Sequence, residues 1–450
     1  MNERILSMIS LGCAKNLVDT EGVLGALVEA GWLLAADPQD ADLVLINTCG
    51  FIEDARQEST EAIENILELK QAGAVRAVVV MGCMVQLMRE KLTRRFGDVD
   101  AWVGLADPGT VAEACNRALA GLGQPAVWMP DPAARPLDQG PRLRITPRHI
   151  AYLRIAEGCN NRCHYCQIPD IRGPLRSKPA DQVLAEAHQL VADGARELIV
   201  IAQDTTSYGV DLHGEPRLAG LLGQLRQVDG VRWLRLLYTH PAHFGDQVIA
   251  ALAEGPPLLP YVDLPIQHAT DAILEAMGRG TTQADLRALV DRIRDAVPGA
   301  VLRTSVIVGF PGEGDTEFNE LLDFIREVRF DRLGAFAYSL EPGTPAAELD
   351  GQVDPEVKAE RLAAVMELQQ DLATERSEAL VGSDVDVVVD GKGIDGEWTG
   401  RTAGDAPDVD GTIRLEGPHL EPGLFGRATV TEAWAYDLYG WLIDADPTDD

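Results

Sequence analysis

Long apolar runs are missing from this 450-residue chain. No stretch approaches the roughly 18 residues that a membrane span requires, and the segment MISLGC near the start is far too short to be one. A charged-then-apolar leader is lacking too, so a cytoplasmic protein without membrane attachment is expected. Neither heptads nor a long apolar stripe announces an interface, which leaves a monomer as the default. The seven cysteines are odd in number and scattered, and without a secretion signal they do not read as a disulfide framework. The phosphate-cradling pattern GxxxxGKS or GxxxxGKT is absent, which argues against nucleoside triphosphate binding of that kind. Positive charge is short as well: 39 Lys and Arg stand against 71 Asp and Glu, a formal charge of −32. Such a chain repels phosphate backbones unless a local basic groove overrides the total.

What is present is ample apolar material, 46% of residues, in a length that suggests about three domains. Over 1–121, short β-rich runs alternate with helical stretches such as Glu53 to Gln71, the pattern of an open parallel α/β sheet. Three of the runs, ILSMISLGC, ADLVLINTC and AVVVMGC, end at Cys13, Cys49 and Cys83. Sites in such sheets form beyond the carboxyl ends of the strands, so these cysteines are expected in one crevice. Residues 122–147, rich in proline and glycine, read as a linker. Over 148–377 six strand-and-helix units follow, with helices expected at Asp181 to Ala192, Gln283 to Ala296, Glu317 to Arg329 and Pro355 to Val381. They imply a partial TIM-like (β/α)6 barrel with its site at the C-terminal strand ends. Over 378–450, alternating segments with Gly and Asp turns read as a small β-barrel. From Glu378 to Asp450 there are 4 basic and 17 acidic side chains, a net of −13.

The loop AEGCNNRCHYCQIP sets Cys159, Cys163 and Cys166 in a CxxxCxxC spacing after the first barrel strand. Three soft thiolates can hold three irons of a 4Fe-4S cubane and leave the fourth open. S-adenosylmethionine suits that iron, because its amino and carboxylate groups can chelate it. A zinc site completed by His164 is the alternative, although paired CxxC knuckles are the usual zinc pattern and His164 lies awkwardly beside Cys163. Singly, Cys13, Cys49 and Cys83 could each be core cysteines; together, at equivalent strand ends, they suggest a second cluster. Cys115, in VAEACNRALA, reads as core packing. GFPGE, with Gly309, Phe310, Gly312 and Glu313, permits close approach by a cofactor. Gln203 with Asp204, and Gln267 with His268, end two other strands, where they either satisfy loop amides or contact cofactor or substrate, and Tyr165 could pack beside an adenine or shield the cluster. Arg172 and Arg176 could bind a carboxylate or be plain surface.

The fuller string EGCNNRCHYCQIPDIRGPLRS resembles the methylthiotransferase branch of the radical S-adenosylmethionine superfamily. The resemblance extends over nearly the whole chain, with LGCAKNLVDTE, NTCGFIEDARQES and MGCMVQ matching at the other three cysteines and a TRAM-type barrel at the end. It implies two 4Fe-4S clusters: one at Cys159, Cys163 and Cys166 that binds S-adenosylmethionine, and an auxiliary one at Cys13, Cys49 and Cys83 that carries the sulfur. One S-adenosylmethionine methylates that sulfur; another yields the radical that takes hydrogen from the substrate carbon, which then collects the methylthio group. An external electron donor is implied, and no catalytic residue is assigned beyond the six cysteines. ISLGCAKNLVDTE and GRTAGDAPDVDGTIRL resemble the branch that modifies the β-carbon of an aspartate in protein twelve of the small ribosomal subunit, rather than the branch acting on tRNA adenosine. The acidic tail, with Asp405, Asp408 and Asp410 where an RNA reader needs basic or polar residues, points the same way: it favours a basic ribosomal protein over tRNA. An iron-sulfur redox carrier, or a ribosome-binding factor without turnover, is the rival of another class.

Overall fold

The opening strands form where aliphatic runs cannot meet water on either face. In the computed structural model, which describes residues 4–121, 125–137 and 140–445, they are β1 (Arg4–Ser10), β2 (Trp32–Leu34), β3 (Leu43–Thr48), β4 (Ala77–Gly82), β5 (Ala101–Val103) and β6 (Ala126–Trp128). They pair in the order β2-β1-β3-β4-β5-β6, every neighbour parallel. β3 and β4 are buried at every residue, as a sheet covered on both sides requires. Alternation along β3 divides the core: Leu43 and Leu45 pack with α1 (Ala14–Glu29) and α4 (Pro108–Leu119), while Val44 and Ile46 pack with α2 (Glu53–Gln71) and α3 (Cys83–Arg95). Cys115 lies in the first of these layers, fully buried.

Of the linker expected over 122–147, residues 122–124 and 138–139 lie outside the described residues, as do 446–450 of the expected terminal barrel. The described part of that linker is not loose chain. Between Pro125 and Pro130 the run AVW supplies β6, the edge strand, where proline can flank a ladder without breaking it. Farther on, Arg135 is buried and Arg142 pairs with Glu21.

The chain then enters β7 (Ile150–Arg154), β8 (Ala156–Glu157) and β9 (Arg176–Ser177). Two compact units result: one from residues 1–145, 154–178 and 341–344, the other from 146–153, 179–340 and 345–450. The cysteine loop therefore belongs with the N-terminal sheet, although it follows a barrel strand in sequence.

In the second unit, β10 (Glu197–Ile201), β11 (Trp233–Leu236), β12 (Tyr261–Asp263), β13 (Val301–Val308) and β14 (Arg332–Ala337) complete six strands with β7, as the sheets β11-β10-β7 and β12-β13-β14, with β10–β11, β12–β13 and β13–β14 parallel. Main-chain bonds from Leu234 to Pro257 and Leu259 join the two. This is the partial barrel expected. The helices fall at Ala180–Ala192, Gln283–Ala296, Asp315–Val328 and Pro355–Ala379, within two residues of expectation at each end. A closed five-stranded barrel ends the unit, ordered β15 (Asp384–Lys392), β16 (Trp398–Thr402), β17 (Ile413–Glu416), β19 (Leu438–Ala445) and β18 (Phe425–Ala433).

Of the acids that GRTAGDAPDVDGTIRL contributes to this barrel, Asp405 and Asp410 have buried side chains while Asp408 is exposed. Asp405 is buried and binds Arg332, Asp410 accepts from Tyr261 Oη at 2.5 Å, and Asp408 accepts from Tyr152 Oη at 3.3 Å. Asp405 and Asp410 fasten the terminal barrel to the strands beneath it, so the sequence argument that counted them toward an RNA-repelling surface is corrected for these two, whereas Asp408 lies at the surface. Glu197 is the centre of the same contact. It is fully buried, accepting from Arg235 Nε at 2.8 Å and pairing with Arg401 at 2.8 Å, while Arg401 also binds Asp390. Burial works against the charge on Glu197, but Arg401 and Arg235 outweigh it and hold the carboxyl below its ordinary value. Asp390 is likewise depressed against burial by His149 and Arg401.

Glu197→Gln should destabilise the protein by about 3 kcal/mol, since it leaves two buried guanidinium groups without their shared anion; urea denaturation followed by circular dichroism measures it. The pH dependence has a fixed sign. Both carboxyls are depressed on folding, so their stabilisation is complete above the ordinary carboxylate range and is lost as pH falls below about 4 through their lower folded values. Glu197→Gln should flatten that acid limb of the stability profile.

Candidate iron-sulfur sites

Parallel register alone gathers the first three cysteines. Ser10 lies opposite Asn47 and Thr48 opposite Gly82, so the carboxyl ends of β1, β3 and β4 are level. Cys13 caps α1, Cys49 follows β3 directly, and Cys83 opens α3 immediately after β4. The order β2-β1-β3 reverses direction at β1, making this the topological switch point where open α/β sheets place ligands. The helix N-terminus at Cys13 also favours thiolate over thiol.

The packing leaves no slack. A Cβ on Gly12 would come within 2.8 Å of Cys49 Cβ, and one on Gly50 within 2.7 Å of Met84 Cα. Both positions demand glycine because the loops touch. Ser59 braces Cys49, its Oγ accepting from the Cys49 N–H and donating to the Cys49 carbonyl. Asn16 donates to the carbonyls of Leu11 and Thr48, and its Oδ1 accepts from Cys83 Sγ at 3.3 Å.

The electrostatics are those of crowded sulfurs. Burial, opposed by Arg172 and reinforced by Cys13 and Cys49, pushes the Cys83 thiol up to about 12. Cys49 is raised, by burial first and then by the Cys13 charge. Cys13 is exposed, yet surrounding atoms that displace water oppose its thiolate; Lys15, Arg172 and two backbone N–H groups outweigh this and draw it below its ordinary value. Three thiolates so placed need a cation among them. Among the described residues no Cys, His, Asp or Glu trio is set for a single metal ion. A cubane differs, since each thiolate binds its own iron and the sulfurs stand apart. All-sulfur donors at equivalent strand ends fit that group.

Cys159, Cys163 and Cys166 are half-buried on a loop clamped at its base by β8 and β9, where Ala156 faces Ser177 and Glu157 faces Arg176. Cys159 N–H donates to the Gly173 carbonyl and Cys166 N–H to that of Cys163, both at 3.1 Å. The N–H groups of Asn161 and Ile168 donate to Cys159 Sγ and Cys166 Sγ at 3.4 Å, bonds that stabilise thiolates. Tyr165 is half-buried on the same loop. A cleft of about 470 Å³ in this unit is lined by Gln86 of α3 and by Gln167, with the Arg56–Glu341 ion pair in its wall.

The expected cofactor residues lie at strand ends of the other unit. Gln203 follows β10, Gln267 and His268 follow β12, and Gly309 to Glu313 follow β13. Glu313 is turned inward: both its oxygens accept from Gly309 N–H at 2.9 Å, Arg361 pairs with it, and buried His268 lies 3.4 Å away. Phe310 is buried edge-on to Tyr338. These three brace the GFPGE turn. For Asp204, beside Gln203, the sequence leaves open a bond to loop amides or a contact with cofactor or substrate. It binds His243, Ser207 and Thr206, and although buried it is held well below the carboxylate range by them.

Sequence reading also missed a buried charge network. Asp19 accepts from Arg135 and Arg154 on one oxygen and Arg172 on the other, and Glu157 binds Arg172 and Arg154. Arg172 is 1% exposed, so the surface reading fails and the carboxylate-binding one holds, toward the protein's own acids. The partners are separated by up to 153 residues, and no local signal links them.

Residues 6–104 match the model described as "Uncharacterized protein family UPF0004", 153–325 the Radical SAM superfamily and 381–443 the TRAM domain. The chain is 43% identical to the ribosomal protein uS12 methylthiotransferase RimO of Desulforamulus reducens, over 97% of this chain and 99% of that one. It is 44% identical to the RimO of Anaeromyxobacter sp. strain K, over 98% and 94%. Among solved structures it is similar to the radical S-adenosylmethionine methyltransferase TsrM from Kitasatospora setae, with a TM-score of 0.53 and 17% identity over 77% of each chain, a likeness of fold. With three matching domains and such relatives along nearly its full length, the chain belongs to the uS12 methylthiotransferase family of radical S-adenosylmethionine enzymes.

Proposed function

We propose that the protein replaces a hydrogen on the β-carbon of an aspartate in ribosomal protein uS12 with a methylthio group. The observation that carries this reading is the pair of three-cysteine sets within one unit of a chain related end to end to uS12 methylthiotransferases. Cys159, Cys163 and Cys166 would hold three irons of one 4Fe-4S cluster and leave its fourth iron for S-adenosylmethionine; Cys13, Cys49 and Cys83 would hold an auxiliary cluster. When bound, these groups supply the electron, the carbon-centred radical and the methylthio group.

The chain's own part is to hold, orient and exclude. Backbone N–H groups of Asn161 and Ile168 fix two of the loop thiolates, and Ser59 and Asn16 fix the loops that lead to Cys49 and Cys13. At the barrel's strand ends, Gln203, Gln267, Gly309 and Gly312 are the candidates for cofactor contact, with Phe310, Glu313 and His268 keeping the turn in shape. Tyr165 on the loop is the remaining candidate. The cleft lined by Gln86 and Gln167 has the volume of a ligand pocket and is the candidate place for the substrate loop. Among the described residues no helix is long and apolar enough to cross a membrane. Electrons come from an external donor, and a cytoplasmic place follows from the ribosomal substrate.

Anaerobically reconstituted protein, given S-adenosylmethionine and reductant, should add a methylthio group to a peptide spanning the uS12 aspartate loop and leave a tRNA anticodon stem-loop unchanged by mass spectrometry. Modification of the RNA alone would overturn the substrate assignment. Cys83→Ala should lower iron from about eight to about four per chain and abolish the methylthio product while S-adenosylmethionine cleavage persists. Cys163→Ala should abolish cleavage as well.

A further inference from the structure

The Arg172 side chain joins the two cysteine elements of the first unit. It closes α5 (Ile168–Arg172), six residues beyond Cys166, yet its Nη2 lies 3.4 Å from Cys83 Sγ, 2.7 Å from Asn16 Oδ1 and 3.0 Å from Asp19 Oδ2. Its Nη1 donates to Glu157 Oε1 at 2.9 Å. We infer that Arg172 is a positioning residue for the auxiliary cluster, donating a charge-assisted hydrogen bond to the Cys83 thiolate and thereby raising the reduction potential of the iron bound there.

Charge balance supports this. Arg135, Arg154 and Arg172 carry three positive charges against the two of Asp19 and Glu157, all with side chains at most 4% exposed. A buried excess of one cation is costly. Arg176 lies at the edge of the network with Asp131 nearby, and Lys15 adds positive charge near Cys13. The anion that completes the set is the Cys83 thiolate, which a bound cluster requires. Hydrogen bonds and charge at cluster sulfurs set cluster potentials. Reduction adds negative charge, so a guanidinium fixed at a ligand sulfur favours the reduced state. The fork geometry matters as well, since one planar group reaches Cys83, Asn16, Asp19 and Glu157 together, which an ammonium does not.

The inference rests on reading Cys13, Cys49 and Cys83 as cluster ligands, and the test separates the two. In a Cys163→Ala background, which leaves the auxiliary cluster alone, the midpoint potential is followed by electron paramagnetic resonance. Arg172→Met should disfavour one-electron reduction by about tenfold, a fall of about 59 mV; Arg172→Lys should give a smaller fall. In a Cys83→Ala background, Arg172→Met should leave the midpoint of the other cluster in place, whereas general disorder of the loop would move it. An auxiliary midpoint unmoved by Arg172→Met, or equal shifts in both clusters, would overturn the inference. Should Arg172→Met fail to load iron, Arg172→Lys decides: a lowered auxiliary midpoint supports the inference and an unmoved one overturns it. If the parent protein holds only one cluster by iron count, the ligand reading itself fails, and the inference with it.

Discussion

Asp19 and Glu157 are surrounded by three guanidinium groups where water scarcely reaches, and the first unit depends on that arrangement. Charges taken out of water are tolerated only when each is paired, and losing one partner strands the others. Asp19 stays ionised because Arg135, Arg154 and Arg172 outweigh the cost of its burial; Glu157 is held at about 2 by Arg172 and Arg154 against the same cost. Each arginine comes from a different stretch: the proline-rich segment, the end of β7 and the end of α5. The pairing therefore ties the CxxxCxxC loop to the N-terminal sheet, although the strand before it in sequence, β7, belongs to the barrel.

That attachment has a chemical use. A methylthio transfer joins a radical-generating step to a sulfur-delivering step, and each gains from fixed geometry over diffusion. The two cysteine sets fall within one compact unit, with Asn16 and Arg172 reaching the Cys83 sulfur, Ser59 holding the Cys49 backbone, and backbone N–H groups on the sulfurs of Cys159 and Cys166.

The second unit shows why net charge is a poor guide to a surface. The terminal barrel carries 13 more acids than bases between Glu378 and Asp450. Asp390, Asp405, Asp408 and Asp410 are engaged by His149, Arg401, Arg332, Tyr152 and Tyr261, and Glu197 ties Arg401 to Arg235. These acids hold the barrel to its neighbouring strands. Preference for a basic ribosomal protein must rest on the remaining exposed acids and on the family.

The sequence by itself determined whatever depends on neighbours along the chain. Alternation and 3.6-residue periodicity placed α2 at Glu53–Gln71 and the helix at Gln283–Ala296 as expected, because burying one apolar face fixes an element wherever it packs. Cysteines at three strand ends and a CxxxCxxC loop were legible for the same reason: a parallel sheet levels its strand ends. Tertiary structure alone decided what depends on partners distant in sequence. It made a strand of the proline-rich segment, moved the cysteine loop into the N-terminal unit, turned Glu313 and His268 inward and carried Arg172 from apparent surface to the sulfur of Cys83. A buried charge needs a counterion, and only the folded chain, bringing Arg172 to Asp19 across 153 residues, chooses which one it finds.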